Sequence, residues 1–406
     1  MQKTDILIKN ANELITLKGL NFPRKKQEMS NIGIIKGGSV AIKNGLIIDV
    51  GKNLSYKAET VINAKGKTVM PGFVDPHTHL VFSGSREFEL DWKLKGLSYF
   101  DIKKKGGGIF YTVEKTRSAS YDKLFDEARV RLDRMLSYGT TTCEAKSGYG
   151  LNTNTELKML KVQKKLDDTH PVDIVSTFLG AHAIPKDNSA SRYVKIVIDE
   201  MLPKVSKYAK FCDVFCEKEF FTIAQSKKIL EEGKKHGLLP KIHADELVGN
   251  GGASLAAKVG AISAEHLLMI SDKGIKDMAK ADVIGVLLPG TPFCLMLKDY
   301  APARKMIDLG VPIALATDLN PNCYIENMQF IIQLACFNMK MTPAEAICAS
   351  TFNAACAIGK QNEIGSLEKN KQADIIVLDV PNHLFIPYHF GINHVEKVIK
   401  KGCILN

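Results

Sequence analysis

The sequence lacks the features of several large classes of protein. It has no stretch of 18 consecutive apolar residues, and its first residues, Met1 to Asp5, lead directly into a strand-like segment. We therefore expect neither a membrane span nor a signal peptide. The nine cysteines are scattered without a Cys-x-x-Cys spacing, and Cys212 and Cys216 are the closest pair. This usage predicts a reducing, cytoplasmic setting in which the thiols are small core residues.

Arginine is also scarce, although the chain is basic. Only eight of the 55 basic residues are arginines, while the formal net charge is +11. Lysines are spread over the whole length, and their longest run covers residues 103–105. Nothing resembles a nucleic-acid recognition module or an aromatic stacking platform. A solvated, lysine-rich surface is therefore favoured over a surface that binds nucleic acid.

The two ends of the chain share a strand-rich style. With 406 residues, 45% of them hydrophobic, the chain can bury a core for one large domain or two. Near the start, Asn44-Gly45 separates two apolar runs and predicts a type I′ hairpin, whereas the polar residues 18–38 predict an exposed loop. Short strands without helices return after residue 365. We expect residues 1–68 and 366–406 to form one small composite β-sandwich domain.

The middle of the chain alternates strands with helices. The predicted strands cover residues 69–74, 140–144, 173–178, 211–215, 241–243, 261–263, 283–287 and 312–316. Between the first two, Ser120 is a suitable N-cap for a helix through Ser137. Eight strands separated by helical patterns predict a (β/α)₈ barrel over residues 69–365, giving an α/β fold overall.

Two histidines follow the first of these strands. His77 and His79 stand at positions i and i+2, so an extended backbone places both on one face, where they can reach one ion. Neutral imidazole is the commonest ligand of catalytic transition metals. The alternative is a pair of polar residues that cap a strand end, and the pair alone does not decide between the two.

Further polar residues at later strand ends favour the metal site. They are His182, His243, Glu246, His266 and Asp318. In a barrel these ends converge on one mouth, where catalytic groups lie. Asp318 could bind a metal and also take a proton from its water, whose pKa a divalent ion can lower to about 7. Its alternative role is the N-cap of the next helix.

Arg86 lies in a loop beside the predicted mouth. A planar guanidinium there suits a substrate carboxylate. The alternative is a surface arginine that pairs with Glu87 or Glu89. The residue pattern alone leaves both roles open.

These residues stand in segments that resemble the amidohydrolase superfamily over nearly the whole chain. The segments cover residues 71–79, 106–109, 146–151, 180–182, 243–246, 317–321 and 387–391. The His-x-His opening is shared across the superfamily and says little about the substrate. Lys-Ser-Gly-Tyr-Gly (146–150) and Tyr-His-Phe-Gly (388–391) are much narrower, and they indicate one branch of the superfamily.

The resemblance implies a set of roles for these residues. One zinc or iron ion would be held by His77, His79, His243 and Asp318. The implied catalytic residues are Glu246, His266 and Asp318. The implied substrate-binding residues are Arg86, Tyr149, His182, Glu246 and Asn320, together with Asn322 and Cys323, which replace the Gly and Ser or Thr usual in the family. The resemblance also implies a homodimer and a small-molecule substrate.

The implied reaction opens the cyclic amide of 4-imidazolone-5-propanoate to N-formimidoyl-L-glutamate, a step of histidine degradation. Two other functions stay open. A cytosine-type or other aminohydrolase would use nearly the same ligands on a different ring, although Arg86 and Tyr149 favour a substrate with a carboxylate. A metal-free binding or assembly protein on the same fold would typically have lost ligands. The sequence does not choose between zinc and iron, nor between Asp318 and Glu246 as the base.

Overall fold

Eight parallel strands form the centre of the protein in a computed structural model that describes residues 2–97 and 99–405. The strands are β8 (Phe73–Asp75), β9 (Thr140–Lys146), β10 (Asp173–Ala181), β11 (Phe211–Cys216), β12 (Leu239–Ala244), β13 (Ser263–His266), β14 (Ile284–Leu287) and β15 (Ile313–Leu315). Each strand pairs with the next one in the sequence. A parallel bridge between Thr78 and Leu319 joins the two outermost strands at the mouth and closes the sheet. The predicted (β/α)₈ barrel is confirmed.

Helices surround these strands and cover the barrel. They are α1 (Phe88–Leu94), α2 (Tyr99–Lys104), α3 (Ile109–Ser118), α4 (Tyr121–Ser137), α5 (Thr153–Thr169), α6 (Ala190–Lys195), α7 (Leu202–Val205), α8 (Ile223–Lys235), α9 (Gly252–Val259), α10 (Asp272–Ala281), α11 (Gly290–Cys294), α12 (Ala303–Leu309), α13 (Met328–Met339), α14 (Pro343–Ala349), α15 (Phe352–Ala357) and α16 (Phe385–Tyr388). A 3₁₀ turn (Lys26–Ser30) and a π-helical segment (Ile196–Met201) complete the helical elements. In α4, the predicted cap Ser120 accepts a hydrogen bond from the Lys123 amide, and Leu124, Ala128 and Leu132 lie buried on one face.

Two mixed sheets lie outside the barrel. One contains β1 (Gln2–Ala11), β4 (Gly38–Lys43), β5 (Leu46–Lys52) and β6 (Tyr56–Asn63). The other contains β2 (Glu13–Ile15), β3 (Ile34–Ile35), β7 (Thr68–Pro71), β16 (Ile375–Leu378), β17 (Val395–Lys400) and β18 (Cys403–Ile404). Apolar residues of both sheets, among them Ile8, Ile42, Val69 and Ile375, pack into one buried cluster. The sandwich from both termini is thus present, while its boundaries at residues 68 and 366 stay a prediction.

The N-terminal segment confirms one local prediction and corrects another. Asn44 (φ 51°) and Gly45 (φ 76°) both occupy the left-handed region and connect β4 to β5, as the predicted hairpin requires. The exposed loop predicted for residues 18–38 is wrong at its centre, because Arg24 and Met29 are buried. The Arg24 guanidinium donates to the carbonyl oxygens of Leu17 (2.7 Å) and Lys18 (3.0 Å), and thereby ties the loop down.

The single buried strand predicted for residues 69–74 is also wrong, because the chain changes sheet at Gly72. The Gly72 amide donates to the Asp374 carbonyl of the mixed-sheet region, whereas the Phe73 amide donates to the Gly139 carbonyl beside the barrel. A Cβ at position 72 would lie 2.3 Å from Thr141 Cγ2, so only glycine fits here. The apolar residues on both sides of Gly72 are buried in either sheet, and their pattern therefore does not reveal the crossing.

Two further observations concern the cysteines and the length of the helices. All nine cysteines are free thiols. Across residues 2–97 and 99–405, no helix has both the length and the apolar character needed to cross a lipid bilayer.

Candidate active site

The predicted metal ligands lie together at the mouth of the barrel. His77 and His79 follow β8, His243 is in β12, and Asp318 follows β15. One ring nitrogen of each histidine lies within 4.8 Å of the others. The Asp318 Oδ1 atom is 3.4 Å from His77 Nε2 and 3.6 Å from His79 Nε2. Four groups from distant parts of the sequence thus converge on one point.

The donor set fits a metal cation. Within the described part of the chain, neither ring nitrogen of His77 or His243 makes a hydrogen bond. The Nδ1 atoms face the carboxylates of Glu265 (2.5 Å) and Asp213 (2.9 Å), respectively, which leaves the Nε2 atoms for a metal. Burial opposes a charge on His77, yet the neighbouring Glu265 and Asp318 carboxylates raise its pKa to about 9. A site that favours positive charge and presents free imidazole nitrogens suits a metal such as zinc or iron.

The Asp318 carboxylate is fixed at the mouth of the barrel and does not cap a helix. The next helix, α13, is capped by Asn327, so the alternative N-cap role of Asp318 is wrong. The Thr291 hydroxyl donates to Asp318 Oδ2 at 2.5 Å. Although burial opposes ionisation, His77 and the other neighbouring histidines hold the pKa of Asp318 well below its usual range. Asp318 is therefore an ionised, oriented carboxylate.

Two site residues have strained backbones. His266 (φ 72°) and Asp318 (φ 53°) both lie in the left-handed region. For residues other than glycine, such conformations cost on the order of 1–3 kcal/mol and persist where the surroundings impose them. Both side chains line the cavity at the mouth.

A cavity of about 150 Å³ opens above these residues. It is lined by His79, Arg86, Ile109, Tyr149, His182, Phe215, Phe220, His243, Glu246, His266, Thr291, Leu295, Asp318, Asn320 and Asn322. Most of the predicted site residues are in this lining, with His77 buried beneath it. Sequence reasoning missed the apolar wall of Ile109, Phe215, Phe220 and Leu295, because apolar residues carry no local sign of a binding role.

Glu246 and His266 form a pair in this cavity. Glu246 Oε2 lies 3.6 Å from His266 Nε2. Burial, reinforced by Asp318 and Glu217, raises the pKa of Glu246 to about 8. Burial lowers the pKa of His266 to about 3, so this imidazole is neutral near pH 7. The site thus holds one ionised carboxylate, Asp318, and one carboxyl group that can exchange a proton near neutral pH, which is a typical division of roles.

Arg86 lies between the cavity and a buried acidic partner. It lines the cavity, and its Nε atom lies 3.3 Å from Glu89 Oε1. The predicted alternative is thus right about the pairing with Glu89 but wrong about the surface position, because the side chains of Arg86 and Glu89 are only 11% and 3% exposed. Glu89 Oε1 also accepts a hydrogen bond from the Gly108 amide at 2.6 Å. Glu89 therefore orients the guanidinium and anchors the glycine-rich segment beside the cavity.

Tyr149 and His182 form an aromatic side of the cavity. The His182 ring stacks on His79, with ring centroids 4.8 Å apart, and lies 5.3 Å from the Tyr149 ring. His182 Nδ1 is 3.2 Å from the Gly148 carbonyl oxygen, which fixes this nitrogen as the donor. Burial lowers the pKa of His182 to about 3, so its Nε2 atom is free to accept a hydrogen bond.

The remaining predicted residues lie in the loop after Asp318, and not all of them reach the cavity. Asn320 and Asn322 line the cavity. Cys323 does not, because it is fully buried with its sulfur 3.8 Å from the Thr317 carbonyl oxygen. The amides of Asn322 and Cys323 both donate to Asn320 Oδ1. In this structure Asn320 thus braces the loop and occupies the backbone groups of its two neighbours.

Sequence reasoning missed a group of charged residues beneath the histidines. These are Glu144, Lys146, Asp213, Lys241 and Glu265, all buried within barrel strands. The available signal was a charged residue inside an otherwise apolar strand, as in Phe211-Cys212-Asp213-Val214-Phe215. Such a residue needs a buried partner of opposite charge.

Comparisons with known proteins agree with this geometry. The sequence model of the amidohydrolase family matches residues 68–405. Imidazolonepropionase from Alkaliphilus metalliredigens is 53% identical, covering 99% of this chain and 98% of its own length. Imidazolonepropionase from Geobacillus kaustophilus is 52% identical, covering 98% of this chain and 97% of its own length.

Solved structures with low sequence identity share the fold. A zinc-bound adenosine deaminase from Xanthomonas campestris is 17% identical with a TM-score of 0.75, covering 99% of this chain and 93% of that one. Ochratoxinase from A. niger is 19% identical with a TM-score of 0.71, covering 99% and 96%. The fold alone is compatible with several activities. The two relatives matched over nearly their full length, by contrast, share one name, imidazolonepropionase. The chain belongs to the amidohydrolase family and, within it, to the imidazolonepropionases.

Proposed function

We propose that this chain hydrolyses the cyclic amide of 4-imidazolone-5-propanoate to N-formimidoyl-L-glutamate in histidine degradation. The observation that carries the proposal is the convergence of His79, His243, Asp318 and Arg86 on one cavity. A metal-ligand set and a guanidinium on the same cavity suit a ring amide that carries a carboxylate tail. The names of the full-length relatives support this substrate.

The proposed metal ligands are His77, His79, His243 and Asp318. Three imidazoles and one carboxylate suit either zinc or iron, and we propose one such ion per chain. When bound, the ion would activate water and polarise the ring carbonyl. The free Nε2 atoms of His77 and His243 support this assignment.

Arg86 is the proposed partner of the propanoate carboxylate. Its Nε atom faces Glu89 at 3.3 Å, and the terminal nitrogens of the guanidinium would make a bidentate contact with the carboxylate. Tyr149 and His182 would then hold the ring, because their side chains pack against His79 on the same side of the cavity. A substrate held in this way would present its ring carbonyl to the histidine cluster.

Glu246 is the proposed proton carrier. Water adds to the carbonyl carbon, the carbon–nitrogen bond of the ring breaks, and a proton must pass from the water to the departing nitrogen. A carboxyl group with a pKa of about 8 can both accept and release that proton near neutral pH. Asp318 is less suited to this transfer because its carboxylate stays ionised. Neutral His266, beside Glu246, would donate a hydrogen bond to the oxygen that gains negative charge.

The direct test is ring opening by the purified, metal-loaded protein. We expect the ultraviolet absorbance of imidazolone propanoate to fall while N-formimidoyl-L-glutamate forms in equal amount. Cytosine and adenosine serve as controls for an aminohydrolase activity, and neither is expected to react. Ammonia release from either control, without ring opening of the imidazolone, would refute this proposal and favour the aminohydrolase function. Protein without bound metal or hydrolytic activity would favour the scaffold function.

The cytoplasmic setting, the homodimer and the absence of nucleic-acid binding stay predictions.

A further inference from the structure

Two lysines are buried in the barrel directly beneath the histidines. Lys146 of β9 and Lys241 of β12 both have 0% side-chain exposure, as do their partners Glu144, Asp213 and Glu265. Charged groups are almost never fully buried unless they are paired. Five of them in one barrel interior call for a specific explanation.

The two ammonium groups are fully used by their neighbours. Lys146 Nζ lies 2.9 Å from Glu144, 2.8 Å from Asp213 and 2.9 Å from Glu265. Lys241 Nζ lies 3.1 Å from Glu144, 3.0 Å from Glu265 and 3.1 Å from the Pro76 carbonyl oxygen. An ammonium has three donors, so neither lysine has one left for a substrate. Their role must pass through the carboxylates.

Two of these carboxylates contact proposed metal ligands. Glu265 Oε2, which contacts Lys146, lies 2.5 Å from His77 Nδ1. Asp213 Oδ2, which also contacts Lys146, lies 2.9 Å from His243 Nδ1. A carboxylate at Nδ1 fixes the tautomer and the ring orientation, so that Nε2 carries the lone pair toward the metal. Lys146 is therefore the shared partner of both histidine–carboxylate pairs.

Stability alone does not account for this cluster. Replacing a buried ion cluster by well-packed apolar residues is often neutral or stabilising. Barrel interiors are usually filled by Val, Ile and Leu. The charges are instead placed at the layer that touches His77 and His243.

We propose that Lys146 and Lys241 are positioning residues of the metal site, which lock Glu265 and Asp213 so that His77 and His243 present Nε2 to one ion. Lys146 has the larger effect, since it contacts both carboxylates, while Lys241 contacts only Glu265 of the two. The inference rests on the proposed metal site. It also assigns a role to the lysine of the Lys-Ser-Gly-Tyr-Gly segment.

The test measures metal affinity separately from activity. Lys146→Met and Lys241→Met are compared with the wild-type protein by competition for Zn²⁺ with a chromophoric chelator. We expect Lys146→Met to bind Zn²⁺ about 10- to 100-fold more weakly, the range for loss of a partner behind a metal ligand, and Lys241→Met to be less affected. At saturating Zn²⁺ the KM of Lys146→Met should stay near the wild-type value, because the lysine does not reach the substrate cavity.

Lys400→Met is the matched control. Lys400 is 2% exposed and contacts Asp173 (2.7 Å) and Asp374 (2.6 Å), in a partly buried ion cluster away from the mouth. Its replacement should destabilise the fold but leave Zn²⁺ affinity unchanged. Wild-type affinity in Lys146→Met, or an equal loss in Lys400→Met, would overturn the inference. Should Lys146→Met fail to fold, Lys241→Met is judged by the same comparison. A wild-type protein that binds no Zn²⁺ would instead refute the metal site itself.

Discussion

The Asp75 carboxylate accepts two hydrogen bonds from Thr317, one from the backbone amide at 3.1 Å and one from the hydroxyl at 2.5 Å. Asp75 ends β8 and Thr317 follows β15, so this contact joins the first and last strands of the barrel. Both residues are fully buried. Because His77 lies two residues after Asp75 and Asp318 directly follows Thr317, the same contact sets the spacing of two proposed metal ligands.

Replacing Thr317 by Val should weaken this junction. The hydroxyl donor is lost and a buried carboxylate is left short of a partner, which costs about 1–3 kcal/mol of unfolding free energy. Urea denaturation of the metal-free protein measures the loss. The control is Thr351→Val, whose buried hydroxyl donates to the neutral Ile347 carbonyl within one helical turn. A smaller loss in Thr317→Val than in Thr351→Val would contradict the role of this junction.

Removing His243 should remove the metal. Because His243 is a proposed ligand and the barrel core does not depend on the ion, we expect His243→Ala to fold but to lose most bound metal and activity. Elemental analysis of the purified protein gives the metal content. His170→Ala is the control, since His170 follows α5 and pairs with Asp133 ahead of β10, at the end of the barrel opposite the mouth. Full metal content in His243→Ala would refute the assigned ligand set.

Arg86→Met should damage substrate recognition while the metal stays bound. A charge-assisted contact is worth about 1.5–3 kcal/mol, so kcat/KM should fall at least ~10-fold. An imidazolone without the propanoate tail should be a poor substrate of the wild-type protein and should lose much less in the variant. Arg304→Met, which removes a partner of Glu345 far from the cavity, is the control. Equal losses for both substrates would show that Arg86 shapes the mouth and does not bind the carboxylate.

Asn322 should contribute a hydrogen-bond donor to the cavity. The Lys93 ammonium donates to Asn322 Oδ1, which leaves the Nδ2 end of the amide for the substrate. Asn322→Ala should raise KM by about 2- to 10-fold, as expected for one hydrogen bond of about 0.5–1.5 kcal/mol. Lys93→Met should act in the same direction because it frees the amide to rotate. Unchanged KM in both variants would leave Asn322 without a binding role.

The pH profile should report Glu246. As a base, Glu246 acts only when ionised, so kcat/KM should fall as the pH drops through its pKa. That pKa is about 8 before a metal is bound, and a nearby cation lowers it, which places the acidic limb below pH 8. Glu246→Gln should lose about 10²- to 10⁴-fold in kcat/KM together with this limb. If Glu246→Gln kept both, the proton carrier would have to be another group.

The barrel and the position of its mouth were predictable because their signals are local. Each strand shows as a short apolar run, and each mouth residue stands within a few positions of a strand end. His77, His243 and Asp318 could therefore be placed at the mouth before their distances were known, while their ligand roles came from the family resemblance. The topology of parallel strands then brings such positions together, whatever their separation in the sequence.

Features that depend on packing between distant segments were not predictable. The contacts of Lys146 with Asp213 and Glu265 require the register of non-neighbouring strands. Cys323 is buried whereas its neighbour Asn322 lines the cavity, although both amides donate to Asn320 Oδ1, and the sequence does not show this difference. In both cases the residue type is visible in the sequence, but the direction of its side chain is not.

The change of sheet at Gly72 limits how the protein can be recombined. A chimaera that takes its terminal β-sheets from a relative must include Thr68–Pro71, because this strand pairs with β16. Only three residues of β8 then separate the junction from the turn that carries His77. If the two parent sequences were joined at Gly72, segments from different parents would pack against Thr141, where there is no room for an added methyl group. We therefore expect the terminal sheets and β8 to be exchangeable only together. A working chimaera would be joined after β8 or within a helix of the barrel.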